Sequence, residues 1–562
     1  MGADERWLGT LVGDTGGLRV SIALRDSFSA RRGEFVRVRH HERRDAAETW
    51  VLGRIIEVRR QNMLFTPQMG EGVAEVSLLA DRSTGETNYA SMELVGFRDP
   101  ETNEIRIPRR PLEPGAKVFA VDFAFLREFY EYSPETNIQL GNLVGYERGE
   151  NIVPVYIDVN RIVTEHLAVL AMTGAGKSYT IGRIIERMLV ESNASIVVFD
   201  PHGEYGRALS GGAINFYADS MYSGLSERER EEFSGLRARI EELQALGGGI
   251  QVYAPRTGTF SRRYNDRYHP LALRLDELNA DELASVFPEI SEPQQRFLQI
   301  ALRYWEKMYP EPREPRDWLD LCGHNLKALG EWDELSAGEQ KSINVRSASI
   351  VALRLRNLLT DANAFYEHGL KPFDVREMVG RARRVAPADG AGRVSIVDLQ
   401  GLSRTSMQVV VALVCTEILR AAQDSSDSIR PVFLVIEEGH AFAPAREASI
   451  ALPIIKKVFA EGRKFGVGAA IVSQRPSKLD SDVTSQANTI IAMRIKNPED
   501  QAFIRSTSDY FSDVDVKELP SLSTGEALVS GRAILAPLLV KVGQKVLIHG
   551  GESPKVVDRW KA

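Results

Sequence analysis

Cysteine is nearly absent from this sequence: among 562 residues only Cys322 and Cys415 occur. Two thiols so far apart form neither a disulfide framework nor a zinc site, and they suit a reducing compartment. Long apolar runs are missing too, since no segment approaches the ~20 apolar residues that cross a bilayer. The opening Met1–Arg6 stretch lacks the apolar core of a secretory signal. A cytoplasmic protein with no membrane partner is therefore expected. Positive charge is not in excess either. A formal net charge of −7 excludes a chain coated in basic surface, so any nucleic-acid contact must come from a local patch or an inner channel. What is present is globular: 43% hydrophobic and 26% charged residues, at a length that suggests roughly three or four domains.

The stretch His166–Ser178 organises the rest. An apolar run, Leu167–Leu170, passes directly into Ala171-Met172-Thr173-Gly174-Ala175-Gly176-Lys177-Ser178. This is the P-loop pattern with Ala171 in place of its first glycine. Gly174 and Gly176 allow a tight loop whose backbone N–H groups surround phosphate oxygens. Thr173, Gly174, Ala175, Gly176, Lys177, Ser178 and Tyr179 are thus the expected nucleotide-binding stretch. Lys177 would reach the β and γ phosphates, and the Ser178 hydroxyl would hold Mg²⁺. From Tyr179 the pattern turns helical (Ile181, Ile184, Ile185, Met188), which sets a helix N-terminus against the phosphates. The plainer alternative is a glycine-rich turn opening an ordinary helix. A strand before and a helix after favour ATP.

Residues 1–148 read as short strands: Trp7–Val12, Leu18–Leu24, Glu34–Arg39, Trp50–Arg59, Ala74–Leu79 and Lys117–Val121. Turn signals at Asp14-Thr15-Gly16-Gly17 and Pro114-Gly115 separate them, as in a small closed or nearly closed barrel. Arg31, Arg32, Arg37, Arg39, Arg43, Arg44, Arg54, Arg59 and Arg60 cluster here among acids, giving either a mixed solvated or partner-facing surface, or direct nucleic-acid contact. Beyond Pro154, buried-strand runs alternate with helical patterns: Leu167–Ala171, Ile196–Phe199, Val394–Asp398, Val432–Ile436, Val467–Val472 and Thr489–Ile495. Such runs belong to a parallel sheet covered on both faces. Ile250–Tyr253 and Leu271–Leu275 are possible further strands. Ser226–Leu246 is a charged helix ended by Gly247-Gly248-Gly249. Periodicity from Asp276 to about Val385 is helical, too long for a connection and so an insertion. Ile534–Val542 and Lys545–Ile548 are strand-like.

Hydrolysis needs acids beside the phosphate loop. Val432–Ile436 delivers Glu437 and Glu438 to a strand's C-terminal end, where sites of open α/β sheets lie. Glu437 would hold Mg²⁺ through water, and Glu438 would polarise the attacking water. The plainer reading is a strand end meeting solvent. Gln474 ends the following strand, where an amide can sense the γ-phosphate or hold the water. Arg463 and Lys464 precede that strand, away from their own phosphate; in a ring they would face the neighbour's, and Arg463 would act in trans. Arg494 is a second candidate for that role, and a helix C-cap is the alternative for Arg463. Asp200 lies near the nucleotide or caps a helix. His202 with Glu204 imitates a metal pair but reads better as a turn.

With these residues the chain resembles the HerA family, hexameric DNA translocases of the HerA–FtsK branch of P-loop ATPases. The matching pieces are His166–Ser178, Phe199–Tyr205, Val435–His440, Gly462–Gly466 followed by Ser473–Asp480, and Arg494–Gln501, in family order. The resemblance implies an α/β fold. A RecA-like P-loop ATPase domain with a parallel-core sheet would span 149–275 and 390–530, interrupted by a helical insertion at 276–389. A HAS-barrel-like β-barrel would occupy 1–148, and a β-containing tail 531–562. It implies ATP and Mg²⁺ as cofactors and a homohexamer that threads double-stranded DNA. It also implies a NurA-like nuclease partner on the barrel side, in DNA-end resection and double-strand break repair. Carried over by motif, Lys177 binds phosphate, Glu438 is the catalytic carboxylate and Arg463 the trans finger. Lys456, Lys457 and Arg446 are candidates for a DNA-facing segment or a solvated helix face. Competing readings are a conjugation- or secretion-type ATPase, an anti-phage defence ATPase with another effector, and a nucleotide-assembled scaffold for a nuclease.

Overall fold

The structure, a computed structural model, describes residues 6–26, 29–42, 48–62, 86–102, 104–130, 136–146, 152–222, 225, 227–255, 258–271, 290–308, 326–362, 373–382, 390–424, 428–507, 511–534 and 536–551. The chain divides into two compact units. Met1–Tyr132, Gly145–Pro154 and Leu535–Pro537 form the first; Ser133–Val144, Val155–Ile534 and Leu538–Ala562 form the second.

The first unit holds β1 (Trp7–Val12), β2 (Arg19–Leu24), β3 (Phe35–His40), β4 (Thr49–Asn62), β5 (Glu86–Arg98), β6 (Ile105–Arg106) and β7 (Lys117–Ala120). They run in the order β2-β1-β7-β3-β4-β5-β6, and β2 also pairs with β5, which closes six strands into a barrel. Alternation explains the closure: in β2, Val20, Ile22 and Leu24 are buried while Arg19 and Ser21 face out. Leu11, Ile22, Val36, Val51, Met92 and Val118 fill the interior. The long β5 shows the same period in Ala90, Met92 and Leu94, a signal the sequence reading passed over. Ala74–Leu79, Arg43 and Arg44 lie outside the described residues. Several arginines of the basic cluster are paired or packed: Arg39 with Glu48 (2.7 Å), Arg59 with Glu57 (2.9 Å), Arg60 with Glu86 (3.1 Å), and Arg37 over the Trp50 ring (4.4 Å).

The second unit is built on one sheet of β8 (Asn137–Leu143), β9 (Pro154–Asp158), β10 (Leu167–Leu170), β11 (Ser195–Asp200), β12 (Gly249–Ala254), β13 (His269–Pro270), β14 (Arg393–Asp398), β15 (Val432–Ile436), β16 (Val467–Ser473), β17 (Thr489–Ala492), β18 (Glu526–Gly531) and β19 (Leu538–Val542). The order is β13-β12-β14-β11-β15-β16-β10-β17-β18-β19-β8-β9. From β13 to β17 the pairs are parallel, and β17-β18-β19-β8 are antiparallel. β10, β11, β14, β15, β16 and β17 are buried along their whole length, as parallel strands covered on both faces must be. Leu271 follows β13 outside any strand; the rest of Leu271–Leu275 is not described.

Within 276–389 the described residues are largely helical: Glu292–Met308, Leu326–Gly330, Ala337–Ser342, Val345–Ala362 and Val375–Val379. Phe297, Leu298 and Trp305 share a core with Val410 and Val414 of the Arg404–Gln423 helix. That helix corrects one expectation. At 20 residues and a mean hydropathy of 1.4 it is long and apolar enough to cross a membrane. Val410, Val411, Val414 and Ile418 are instead buried in the sheet's core.

The tail also differs from expectation. Among the described residues of the tail beyond Gly531, Leu538–Val542 is the strand, and Lys545–Ile548 contributes just the bridge Phe216–Leu547. These residues cross the Lys177–Glu191 helix. Lys545 N–H donates to the Tyr179 hydroxyl (3.1 Å), Val546 N–H (2.8 Å) and Leu547 N–H (2.9 Å) donate to the Glu186 carboxylate, and Gly550 N–H donates to Glu204 O (2.7 Å). Their backbone groups are satisfied by a helix face and a loop, which no local pattern of residues 545–548 encodes.

Candidate nucleotide site

β10 ends at Leu170, and the chain turns through Thr173–Gly176 into the Lys177–Glu191 helix. Gly174 has φ 77° and Gly176 φ 104°, left-handed conformations that side chains resist. At Gly176 a Cβ would also sit 3.3 Å from Met493 Cε and 3.4 Å from Gly525 N. The first bond of the helix runs from Thr180 N–H to Gly176 O (2.9 Å). The amides ahead of Thr180 lie outside the helical ladder, at the positive end of the helix dipole.

Lys177 Nζ lies 2.6 Å from Glu437 Oε2 and 3.3 Å from Glu438 Oε1, the two glutamates being buried and the lysine partly so. Burial alone would lower the lysine's pKa, but the two carboxylates outweigh it and raise it, so the ammonium is fixed. Glu437 Oε1 accepts from the Tyr205 hydroxyl, whose pKa is raised by burial and by that carboxylate. Glu438 follows the end of β15 with φ 49° and ψ 43°, a conformation that costs energy in a residue bearing a Cβ. Gln474 Nε2 donates to Glu438 Oε1 at 3.2 Å, and the Thr173 hydroxyl donates to Gln474 Oε1. Glu438 Oε2 is buried with no hydrogen-bond partner. His440 Nδ1 stands 3.4 Å from it and 3.2 Å from Ser473 Oγ. Burial, with Arg475, Lys177 and Arg404, lowers the His440 pKa against the pull of Glu438, so at neutral pH the neighbour is a neutral imidazole.

Thr173, Lys177, Glu437, Glu438 and Gln474 therefore converge. Tyr205 and His440 belong to the same cluster and were not singled out as site residues, although both sit inside quoted motifs. Tyr179 turns its side chain to the tail, its ring 5.5 Å from that of His549. Asp200 is fully buried and caps the turn that follows it, accepting from the N–H groups of Glu204 (3.0 Å), Tyr205 (2.8 Å) and Gly206 (3.2 Å). Burial and the adjacent Asp398 carboxylate push its pKa up to about 7. His202 is exposed, 3.9 Å from Glu438 Oε1. Lys456 is tied to Asp480 (3.0 Å) and Asp482 (2.8 Å).

The two arginines are separated. Arg463 is exposed in the Gly462–Phe465 turn before β16, at the end of the sheet opposite the P-loop. There its charge acts on His166, just before β10. Arg494 follows β17 on the loop side, and its Nη2 donates to Gly174 O at 3.4 Å. The donor set fits a magnesium nucleotide. The loop amides and Lys177 would hold phosphate, and Ser178 and Glu437 a hard cation. Among the described residues no group of three His, Cys, Asp or Glu could hold a metal alone, so phosphate and water would complete its shell.

The family described as the helicase HerA central domain matches residues 138–418, half of the chain. Across 99% of its length the chain is 25% identical to the DNA double-strand break repair helicase HerA of Pyrococcus furiosus, covering 97% of that protein. It is 27% identical to the probable DNA double-strand break repair helicase HerA of Methanocaldococcus jannaschii, over 84% of this chain and 88% of that one. Among solved structures, the bacterial conjugative coupling protein TrwBdeltaN70 is similar at 15% identity and a TM-score of 0.46, over 77% of this chain and 95% of that chain. With its phosphate loop, acidic strand end and parallel sheet in one unit, the chain belongs to the HerA helicase family of P-loop ATPases.

Proposed function

We propose that this chain is the subunit of a homohexameric, ATP-driven motor that threads double-stranded DNA and works with a NurA-like nuclease in double-strand break repair. The observation that carries it is Lys177 held between Glu437 and Glu438 beside the phosphate loop, with Arg463 exposed at the far end of the same sheet. Bound ATP with Mg²⁺ supplies the free energy of anhydride cleavage. Lys177 holds the β and γ phosphates, and Ser178 and Glu437 hold the cation. Glu438 Oε2, buried with no hydrogen-bond partner, takes the proton of the attacking water, while Gln474 fixes the carboxylate through Oε1. Arg463 completes the neighbouring subunit's site, so each turnover loosens one interface. The net charge of −7 leaves DNA contact to an inner lining that meets phosphates, giving salt-sensitive binding without base readout.

Steady-state ATP turnover with and without duplex DNA tests this. Duplex should stimulate the unaltered chain. Glu438→Gln should lower turnover by roughly 10²–10⁴-fold, the range of general-base catalysis, and Lys177→Ala should abolish it. Full turnover in both variants, or none in the unaltered chain, sinks the reading.

A further inference from the structure

The phosphate loop has two flanks. β16 and β15 carry Gln474, Glu438 and Glu437 on one; the other is made by β17, β18 and β19. Arg494 leaves the end of β17. Its carbonyl accepts from Met172 N–H (3.0 Å), its Nη2 donates to Gly174 O (3.4 Å), and its Nε is buried with no hydrogen-bond partner. Ahead of β18, Gly525 N–H donates to Ala175 O (3.0 Å), and the Thr524 hydroxyl donates to Gly174 O (3.4 Å). Gly525 has φ 77°, a left-handed conformation, and its N lies 3.4 Å from where a Cβ on Gly176 would stand. Lys541 on β19 donates from Nζ to Thr524 O (2.8 Å). Its cross-strand neighbour Glu526 instead accepts from Ser523 N–H (2.8 Å). Among the described residues neither Arg494 nor Lys541 forms an ion pair.

Two cations without carboxylate partners thus border a loop whose amides already favour anions. The acids that would serve cleavage stand on the opposite flank. A nucleotide whose reacting end meets Glu438 must extend its other end away from β15, past Gly176, toward Arg494 and Lys541. We propose that Arg494 and Lys541 grip the α-phosphate and sugar of the nucleotide in cis, as binding residues that take no part in bond cleavage. This rests on the nucleotide reading given above. It also separates the two arginines, since Arg463 would serve the neighbour's reaction and Arg494 its own chain's affinity. Contacts to the part of the nucleotide that cleavage leaves unchanged stabilise ground and transition states alike, so they set affinity for diphosphate and triphosphate alike.

The test is an equilibrium titration of the full chain with ADP and with a non-hydrolysable ATP analogue. The variants are Arg494→Ala, Arg494→Lys, Lys541→Gln and the Arg494→Ala/Lys541→Gln pair, each with a thermal melt. Each alanine or glutamine change should weaken both nucleotides by about tenfold, the worth of a charge-assisted hydrogen bond. The pair should lose more, and Arg494→Lys should recover part of the loss. If Arg494→Ala melts early, Arg494→Lys and Lys541→Gln decide. Unchanged affinity in these variants overturns the proposal, as does a loss confined to the triphosphate analogue. An unaltered chain that binds neither nucleotide overturns the nucleotide reading itself, and this inference with it.

Discussion

Glu186 offers a sharp perturbation away from the phosphates. It is fully buried in the helix that follows the phosphate loop. Its carboxylate accepts from Val546 N–H (2.8 and 3.1 Å) and Leu547 N–H (2.9 Å). Lys545, 2% exposed, brings the compensating charge. Glu186→Ala would leave two buried donors without an acceptor and remove the carboxylate that acts most strongly on the buried Lys545 ammonium. Leaving a buried donor unsatisfied costs about 1–3 kcal/mol, so the two together amount to about 100-fold in a local opening equilibrium. Hydrogen exchange of the full chain should show the 543–551 segment losing protection by about that factor, with β15 and β16 unchanged. Glu186→Gln, which keeps an acceptor, should fall between. Burial lowers the Lys545 pKa from 10.5 to about 8, against the pull of Glu186 and Glu204. A lowered folded-state value means a contribution present above the ordinary pKa and lost as pH falls through about 8. The segment should therefore hold more tightly as pH rises from 8 to 10, a slope that Lys545→Met removes. Unchanged protection of Val546 and Leu547 in Glu186→Ala, or a loss spread equally over the central strands, would refute the reasoning.

Two further outcomes follow from the geometry. His166 is buried, with Nδ1 accepting from Ala469 N–H (3.1 Å), and burial outweighs the Phe459 backbone contact to lower its pKa from 6.5 to about 4, with Arg463 adding to the drop. Its contribution is present above 6.5 and lost as pH falls toward 4, about 2 kcal/mol by pH 5; His166→Gln should show that much less acid sensitivity in denaturant melts between pH 7 and 5, and an identical slope would count against a neutral buried imidazole. Gln474→Leu removes the donor that fixes Glu438 Oε1, so turnover at saturating ATP should fall roughly 10–100-fold with nucleotide affinity near normal; a pure affinity defect would place Gln474 elsewhere in the cycle.

The candidate site was legible where its chemistry is written in short continuous stretches. Gly174, Gly176 and Lys177 sit in one turn, and Glu437 and Glu438 close one apolar strand, so spacing alone places them at strand ends. What brings them together is sheet order, with β16 between β10 and β15, and that is a long-range property. Tyr205 and His440 were hidden for the same reason: their motifs were visible, but not that one would meet Glu437 and the other Glu438. β8 was not marked as a strand, because Asn137–Leu143 mixes Asn, Gln and Gly with its apolar residues; its partner β19 lies far along the chain. Lys545–Ile548 looked like a strand because Val546, Leu547 and Ile548 are apolar, yet the Val546 and Leu547 amides go to a helix carboxylate and that of Lys545 to the Tyr179 hydroxyl, with the bridge Phe216–Leu547 the one sheet-like pairing among the described residues. The membrane test on Arg404–Gln423 shows the converse: composition alone cannot separate a helix buried in protein from one buried in lipid.

The central claim is a site shared between neighbours, and mixing inactive subunits tests it. Lys177→Ala and Arg463→Ala chains should each fail to turn over ATP when assembled alone. Co-assembled, they form interfaces in which an intact Lys177 meets an intact Arg463, and duplex-stimulated turnover should return to a substantial fraction of the unaltered ring's. Mixed assemblies that stay silent, or an Arg463→Ala chain that hydrolyses ATP normally by itself, would contradict the account.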